Sequence, residues 1–458
     1  MSAVVEAHDP LGQLITVQHA SSVAALAGFV TGFLGYRPSI LAVLAAAEHD
    51  DSLIVQACAA ALYLFSESPG GPTRARAQLA RAARAGLPAS ARERQFAAAV
   101  AHWAAGEMVE ALALHEALAQ QQPRDLVAVE LGQYHAFNRG DSPTLLRLAL
   151  HALPAAADVP ALHGMLAFGW EQCHRLDKAE AAARQALALQ PDEPWAQHAL
   201  AHVLLTDGRL SEGAAFMAQA SAGWQGLTSF MRCHNWWHLA LFQIELGQDD
   251  AALQLYDNQV WGVDKNYSQD QVGAVSLLAR LELAGLDVGG RWLELAGHLV
   301  GRTSDQVLPF LDLQYLYGLA RAGRPEADAL LANIERFAAL APADTRSAWQ
   351  QVAVPAARGL LAHARGMLHA ADAADADWPA AADALALALP GLVGIGGSHA
   401  QRDLFQQIQL DALQRAGRLA AVQNLLQPQA NAQPQSQRLR RRLQAVAGGL
   451  GLPGLVAP

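Results

Sequence analysis

Four turn residues fall 34 positions apart in this chain: Gly106, Gly140, His174 and Gly208, within HWAAGEMVEAL, AFNRGDSPTLL, EQCHRLDKAEA and LLTDGRLSEGA. A period held over four units means one supersecondary element copied in tandem, each copy burying its apolar face only against its neighbours. Helical apolar spacing flanks every turn, so the copied element is a helix A, a turn and a helix B. Other positions keep the register. Pro123 and Pro191 each lie 17 residues after a turn residue, where helix B ends. Ala111 and Ala179 lie five after it, where a small residue lets two helices touch.

A 34-residue helix–turn–helix unit is the tetratricopeptide period. Less regular hairpins continue it, with turns expected at Gly247, Gly285, Gly323, Gly366 and Gly417, and Ser52–Phe65 followed by Thr73–Ala85 reads as one more upstream. Hydrophobic residues make up 52% of the chain but aromatics only 6%, so alanine and leucine dominate the apolar fraction and favour close-packed helices. The expectation is an all-α fold without appreciable strand, a right-handed superhelical solenoid of hairpins around a concave, closed pocket. It divides into N-terminal hairpins (1–90), regular repeats (91–260), degenerate repeats (261–425) and a tail (426–458). The tail begins with a Pro- and Gln-rich linker, QPQANAQPQSQ (427–437), before a short solvated helix around RLRRRLQAV.

Composition removes several functions. Acidic residues outnumber basic ones, 42 to 32, for a net charge of −10, which gives a nucleic-acid partner no electrostatic support. Cys58, Cys173 and Cys233 are too few and scattered for a disulfide framework or a zinc ribbon. MSAVVEAHDPLG lacks the basic start of a signal peptide. The longest apolar runs, around Val23–Leu34 and Leu53–Phe65, fall short of the roughly 18 residues of a membrane span. A cytoplasmic protein with no membrane partner is expected, and a homodimer is left open.

The densest chemistry lies in MRCHNWWHLA (231–240). With Gly247 as the turn residue, Trp236, Leu239 and Ala240 fall on the face packed against helix B, and His234, Trp237, His238 and Leu241 on the face that lines a concave groove. The preceding unit repeats this. Gln197, Leu200, Ala201 and Leu204 form its packing stripe, and Trp195, His198 and His202 a second stripe. Trp236 is thus read as structural and Trp237 as ligand-facing. Equivalent positions of earlier units hold Glu130, Tyr134, Phe168 and Glu171. His102, His115 and His174 read as core or surface fillers.

An H-x₃-H pair on a helix is half a site for zinc or another divalent transition metal, and HALAH (198–202) and HNWWH (234–238) supply two. Neither is H-E-x-x-H, because Ala199 and Asn235 follow the first histidines, so the zincin mechanism is excluded. No carboxylate sits at fixed local spacing from either pair. Sequence therefore ranks metal-free acid–base histidines above a metal held by His198, His202, His234 and His238, with Glu130 and Glu171 as accompanying carboxylates. The ligand expected is a small aromatic or apolar molecule, contacted by Tyr134, Phe168, Trp195, Asn235 and Trp237. The alternative is a scaffold that binds a peptide or partner protein; the Lys, Arg and Asn of a peptide-carboxylate clamp are replaced here by His, Trp, Tyr and Glu. A second stretch, GIGGSHAQRDLFQQIQLDAL (394–413), offers Ser398, His399 and Asp403, but Ser398 with Gln401 three residues on reads as a capping box. Gln401, Arg402 and Asp403 remain ligand candidates in the first turn of that helix. There is no G-x-S-x-G elbow, P-loop or strand-linked G-x-G-x-x-G.

GMLAFGWEQC (164–173), PWAQHALAHVL (194–204), GRLSEGAAFM (208–217), CHNWWHLALFQIELGQDDAALQLYD (233–257) and GGSHAQRDLF (396–405) together resemble the tetratricopeptide repeat protein 38 family, over about residues 90 to 425. The resemblance implies an all-helical solenoid and marks His198, His202, His234, Asn235, Trp237, His238, Gln401, Arg402 and Asp403 as motif residues. Two departures stand out: Leu239 where the family pattern leads to a second aromatic, and Gly273 where it leads to an acidic residue.

Overall fold

The computed structural model describes residues 4–368 and 376–452, so the last six residues of the tail lie outside the described residues. The chain forms two compact units, Met1–Leu200 with Gly223–Met231, and Ala201–Ala222 with Arg232–Pro458. The division falls inside two helices, Pro194–Thr206 and Ser229–Glu245.

In the first unit, helices pair in sequence order: Leu53–Phe65 with Gly71–Ala85, Ala91–Ala105 with Met108–Gln121, Leu126–Asn138 with Ser142–Ala156, and Pro160–Gln172 with Leu176–Leu189. Each of the periodic turns closes identically. The residue after the turn donates its N–H to a carbonyl five positions back: Glu107 to His102, Asp141 to Ala136, Arg175 to Trp170 and, in the second unit, Arg209 to Leu204, each at 2.9 Å. This is the Schellman closure, which needs a left-handed residue at the turn. Gly106, Gly140 and Gly208 supply it with φ of 82°, 71° and 70°, and His174 takes the same conformation at 55°. A side chain there costs about 1–2 kcal/mol. Ala111 and Ala179 are fully buried where the helices touch.

One element departs from the all-helical expectation. Val5–His8 and Leu14–Val17 form a two-stranded antiparallel hairpin, with Val5 opposite Val17 and His8 opposite Leu14. Asp9 closes its turn by accepting from the N–H groups of Leu11 and Gln13 at 2.9 Å. Ile15 and Val17 turn inward, and Thr16 N–H donates to Glu93 at 2.7 Å. Four-residue strands are too short to establish a period of two against a helical background.

In the second unit the hairpins are Ser268–Leu283 with Arg291–Leu299, Pro309–Arg321 with Glu326–Leu340, Val354–Leu368 with Trp378–Ala388, and His399–Arg415 with Leu419–Ala432. Gly247, Gly285, Gly323 and Gly417 close turns with positive φ, as expected. Gly366 does not. It lies within Val354–Leu368, and a Cβ there would stand 2.6 Å from the Trp378 indole, so this glycine makes room for a ring. The linker expectation holds only for 433–436: the helix Leu419–Ala432 runs through Pro428, tied by side-chain bonds from Gln423 to Gln427 at 2.9 Å and from Gln427 to Asn431 at 3.0 Å. The last helix, Gln437–Gly449, is docked rather than solvated. Leu439, Leu443 and Val446 are buried, and Arg438 pairs with Glu245 at 2.7 Å. Trp378–Ile395 is long and apolar enough to cross a membrane by length and composition, unlike the two runs singled out from sequence. Here it breaks into a 3₁₀ turn at Leu389, and Trp378, Ala381 and Leu385 are buried in the unit.

Candidate functional site

The helix Ser229–Glu245 places His234 and His238 one turn apart on one face, and His202 comes from the helix Pro194–Thr206. One ring nitrogen from each of these three second-unit histidines lies within 4.8 Å of the others. The rings of His202 and His238 are 4.5 Å apart, and those of His234 and His238 4.8 Å, edge to face. His202 and His238 are buried and His234 partly so. Burial, with His202 adding to it, pushes the His234 pKa down to about 3, so this imidazole is neutral at pH 7 with a lone pair to offer.

Trp237 forms the wall of this group. Its indole stacks on His234 at 5.2 Å and 9° and meets His238 edge-on at 4.8 Å. The repeat frame gives Trp236 the packing role and Trp237 the face shared with His234 and His238; Trp237 does lie against both histidines, but it is also the more deeply buried of the two tryptophans. Trp237 is 1% exposed within the main core of the second unit, whereas Trp236 is only partly buried against that core. The reason is Arg280 on the helix Ser268–Leu283, whose guanidinium covers the Trp237 ring at 5.7 Å. Asn235, between the two histidines, is fully buried with neither amide atom hydrogen-bonded.

Arg280 joins this group to the other singled-out stretch. It donates to Asp403 at 2.9 Å and to the Ala400 carbonyl at 2.6 Å, so Asp403 reaches the site through it. Sequence reasoning missed Arg280, although a lone arginine inside AVSLLARLEL is a signal. Ser398 opens the helix His399–Arg415 by the expected capping box, which engages Gln401: its side chain accepts from Ser398 N–H at 2.8 Å. Gln401 is therefore a structural residue. Arg402 donates to the Gly397 carbonyl of the same turn. Leu239 is buried, and Gly273 has open space where a side chain would begin.

The remaining candidates belong to the first unit. His198, one turn before His202 on the shared helix, is buried and stacks on Trp195 at 4.4 Å, with Phe168 at 5.6 Å. Tyr36, not anticipated from sequence, stacks on Trp195 at 5.5 Å and donates to Glu130 at 2.7 Å. Burial pushes Glu130 up to about 8 against that hydrogen bond, with Glu193 adding to the rise. Glu193, also raised to about 8 by burial, caps the helix Pro194–Thr206 through Ala196 N–H. Tyr134 donates to Glu67 at 3.1 Å, and Glu171 is buried beside Gln172. Among the filler histidines, His115 is a core residue, His102 pairs with Glu107 at 2.6 Å at the surface, and His174 is the turn residue.

No known protein family's sequence profile matches the chain. It is similar to the solved structure of the human IFIT1 dimer with PPP-AAAA at 13% identity, over 88% of each chain, with a TM-score of 0.41. It is also similar to yeast Tom70 at 14% identity, over 77% of this chain and 91% of that one, with a TM-score of 0.38.

Proposed function

We propose that this helical-hairpin protein binds a divalent transition metal through His202, His234 and His238, and that the metal presents a small molecule in the second unit. The observation that carries the reading is the convergence of three ring nitrogens, two of them on buried histidines, within 4.8 Å. Zinc–imidazole bonds of about 2.0–2.1 Å put ligand nitrogens about 3.4 Å apart, a contraction that small ring rotations supply. An all-imidazole set suits zinc, copper, iron or nickel rather than calcium or magnesium. Metal-free acid–base chemistry, ranked first from sequence, is less well supported: a catalytic imidazole works best with a pKa near the working pH, and that of His234 lies near 3. The resemblance to the tetratricopeptide repeat protein 38 family belongs to this reading.

The test is metal content. Protein purified without chelator and then supplied with zinc retains one equivalent per chain by elemental analysis, and His202→Ala, His234→Ala and His238→Ala each lose it while staying helical. Wild-type protein that keeps no zinc, copper, iron or nickel after dialysis refutes the proposal.

A further inference from the structure

We infer that the second unit binds a carboxylate in a nest of donors at the seam between Trp237 and Arg280, beside the histidine group; this names the ligand class of the metal reading and rests on it for where the ligand's other end lies. Three buried donors on the helices Ser229–Glu245 and Ser268–Leu283 have no partner: the Trp237 indole N–H, the Arg280 Nε–H and the Ser276 hydroxyl. Buried polar atoms are nearly always paired, so three unpaired ones on two facing helices mark a place where an acceptor belongs. Arg280 and Trp237 are in contact at 5.7 Å, and Ser276 stands one turn before Arg280 on the same face of its helix.

There is room beside them. Gly273, three residues before Ser276, has no neighbouring helix or side chain within 4 Å of where a side chain would begin. Asp403, at the other end of the seam, has a side chain 38% exposed, and the Arg280 side chain behind it is 4% exposed.

Asp403 pairs with Arg280 at one edge only, accepting from Nη1 at 2.9 Å, and the Nε–H of the same guanidinium stays unmatched. A planar carboxylate accepts two or three N–H and O–H bonds at once.

The experiment titrates acetate and benzoate, with benzylamine as the cationic control, into the full-length protein by calorimetry, both zinc-loaded and chelator-treated. At least one carboxylate is expected to bind at one site per chain and benzylamine not to bind. Gly273→Leu, which fills the open space, weakens binding at least tenfold, and Ser276→Ala, which removes one donor, weakens it about fivefold to tenfold. Zinc content of both variants stays at the wild-type level. Failure of both carboxylates to bind, benzylamine binding equally well, or binding untouched by Ser276→Ala overturns the inference. Carboxylate binding that follows this pattern in a protein that holds no zinc upholds the donor nest and refutes only the metal reading.

Discussion

Replacing Trp237 by alanine probes both the packing and the site. The side chain is 1% exposed, and an indole of this size buries about 150–250 Å². At about 25 cal/mol per Å² that is about 4–6 kcal/mol as an upper bound, and measured truncations of large aromatic core residues cluster at about 3–5 kcal/mol. Trp237→Ala also uncovers the buried Arg280 guanidinium and the His234 ring that stacks on the indole. A loss of about 4 kcal/mol is expected. Trp236, partly buried against the same core, has less area to lose, so Trp236→Ala should cost less than Trp237→Ala. Urea titrations followed by the helical circular-dichroism signal compare the two. A larger loss for Trp236→Ala than for Trp237→Ala would refute the packing described here and restore the simple repeat frame.

Two glycines separate turn from packing. Gly140→Ala forces a left-handed alanine and should cost about 1–2 kcal/mol through the backbone, whereas Gly366→Ala should cost a similar amount by displacing the Trp378 indole and so change the near-ultraviolet aromatic signal. An unchanged aromatic spectrum in Gly366→Ala would refute that contact. Glu193 has a folded-state pKa near 8, above its unfolded value near 4.5, so the native state holds the extra proton and stability falls as pH rises between those values. Glu193→Gln should therefore be about 3 kcal/mol more stable than wild type at pH 7 and equal to it near pH 4; a pH-independent difference in melting would contradict this. Asp411 is brought down to about 2, its burial outweighed by His363 at 2.9 Å and by Arg415. Its contribution of about 2 kcal/mol is complete above pH 4 and lost as pH falls through 2, so the gap between wild type and Asp411→Asn should close over that range.

The repeat was legible because four turns and their helix ends keep one spacing, and each turn residue has the left-handed backbone that the spacing implies. Gly366 was misread because a glycine against a ring and a glycine in a turn look alike in sequence; what separates them is Trp378, twelve residues on. The histidine group was legible because i, i+4 spacing places His234 and His238 on one helix face whatever the tertiary structure. The roles of Trp236 and Trp237 were not legible, since which face of a helix is covered depends on where the next hairpin lays Arg280. That contact joins residues 43 positions apart, and no local period encodes it. The Gln401 capping box could be read directly, being complete within four residues, whereas the link from Asp403 to the site runs through Arg280 and could not.

The central claim is that His202, His234 and His238 hold a metal ion. X-ray absorption at the zinc edge of the zinc-loaded protein tests it most directly. The account predicts at least three imidazole nitrogens at about 2.0–2.1 Å, with outer-ring scattering that falls when His234 is replaced by alanine. An oxygen-only first shell, or a spectrum unchanged by His202→Ala, His234→Ala and His238→Ala, would contradict it.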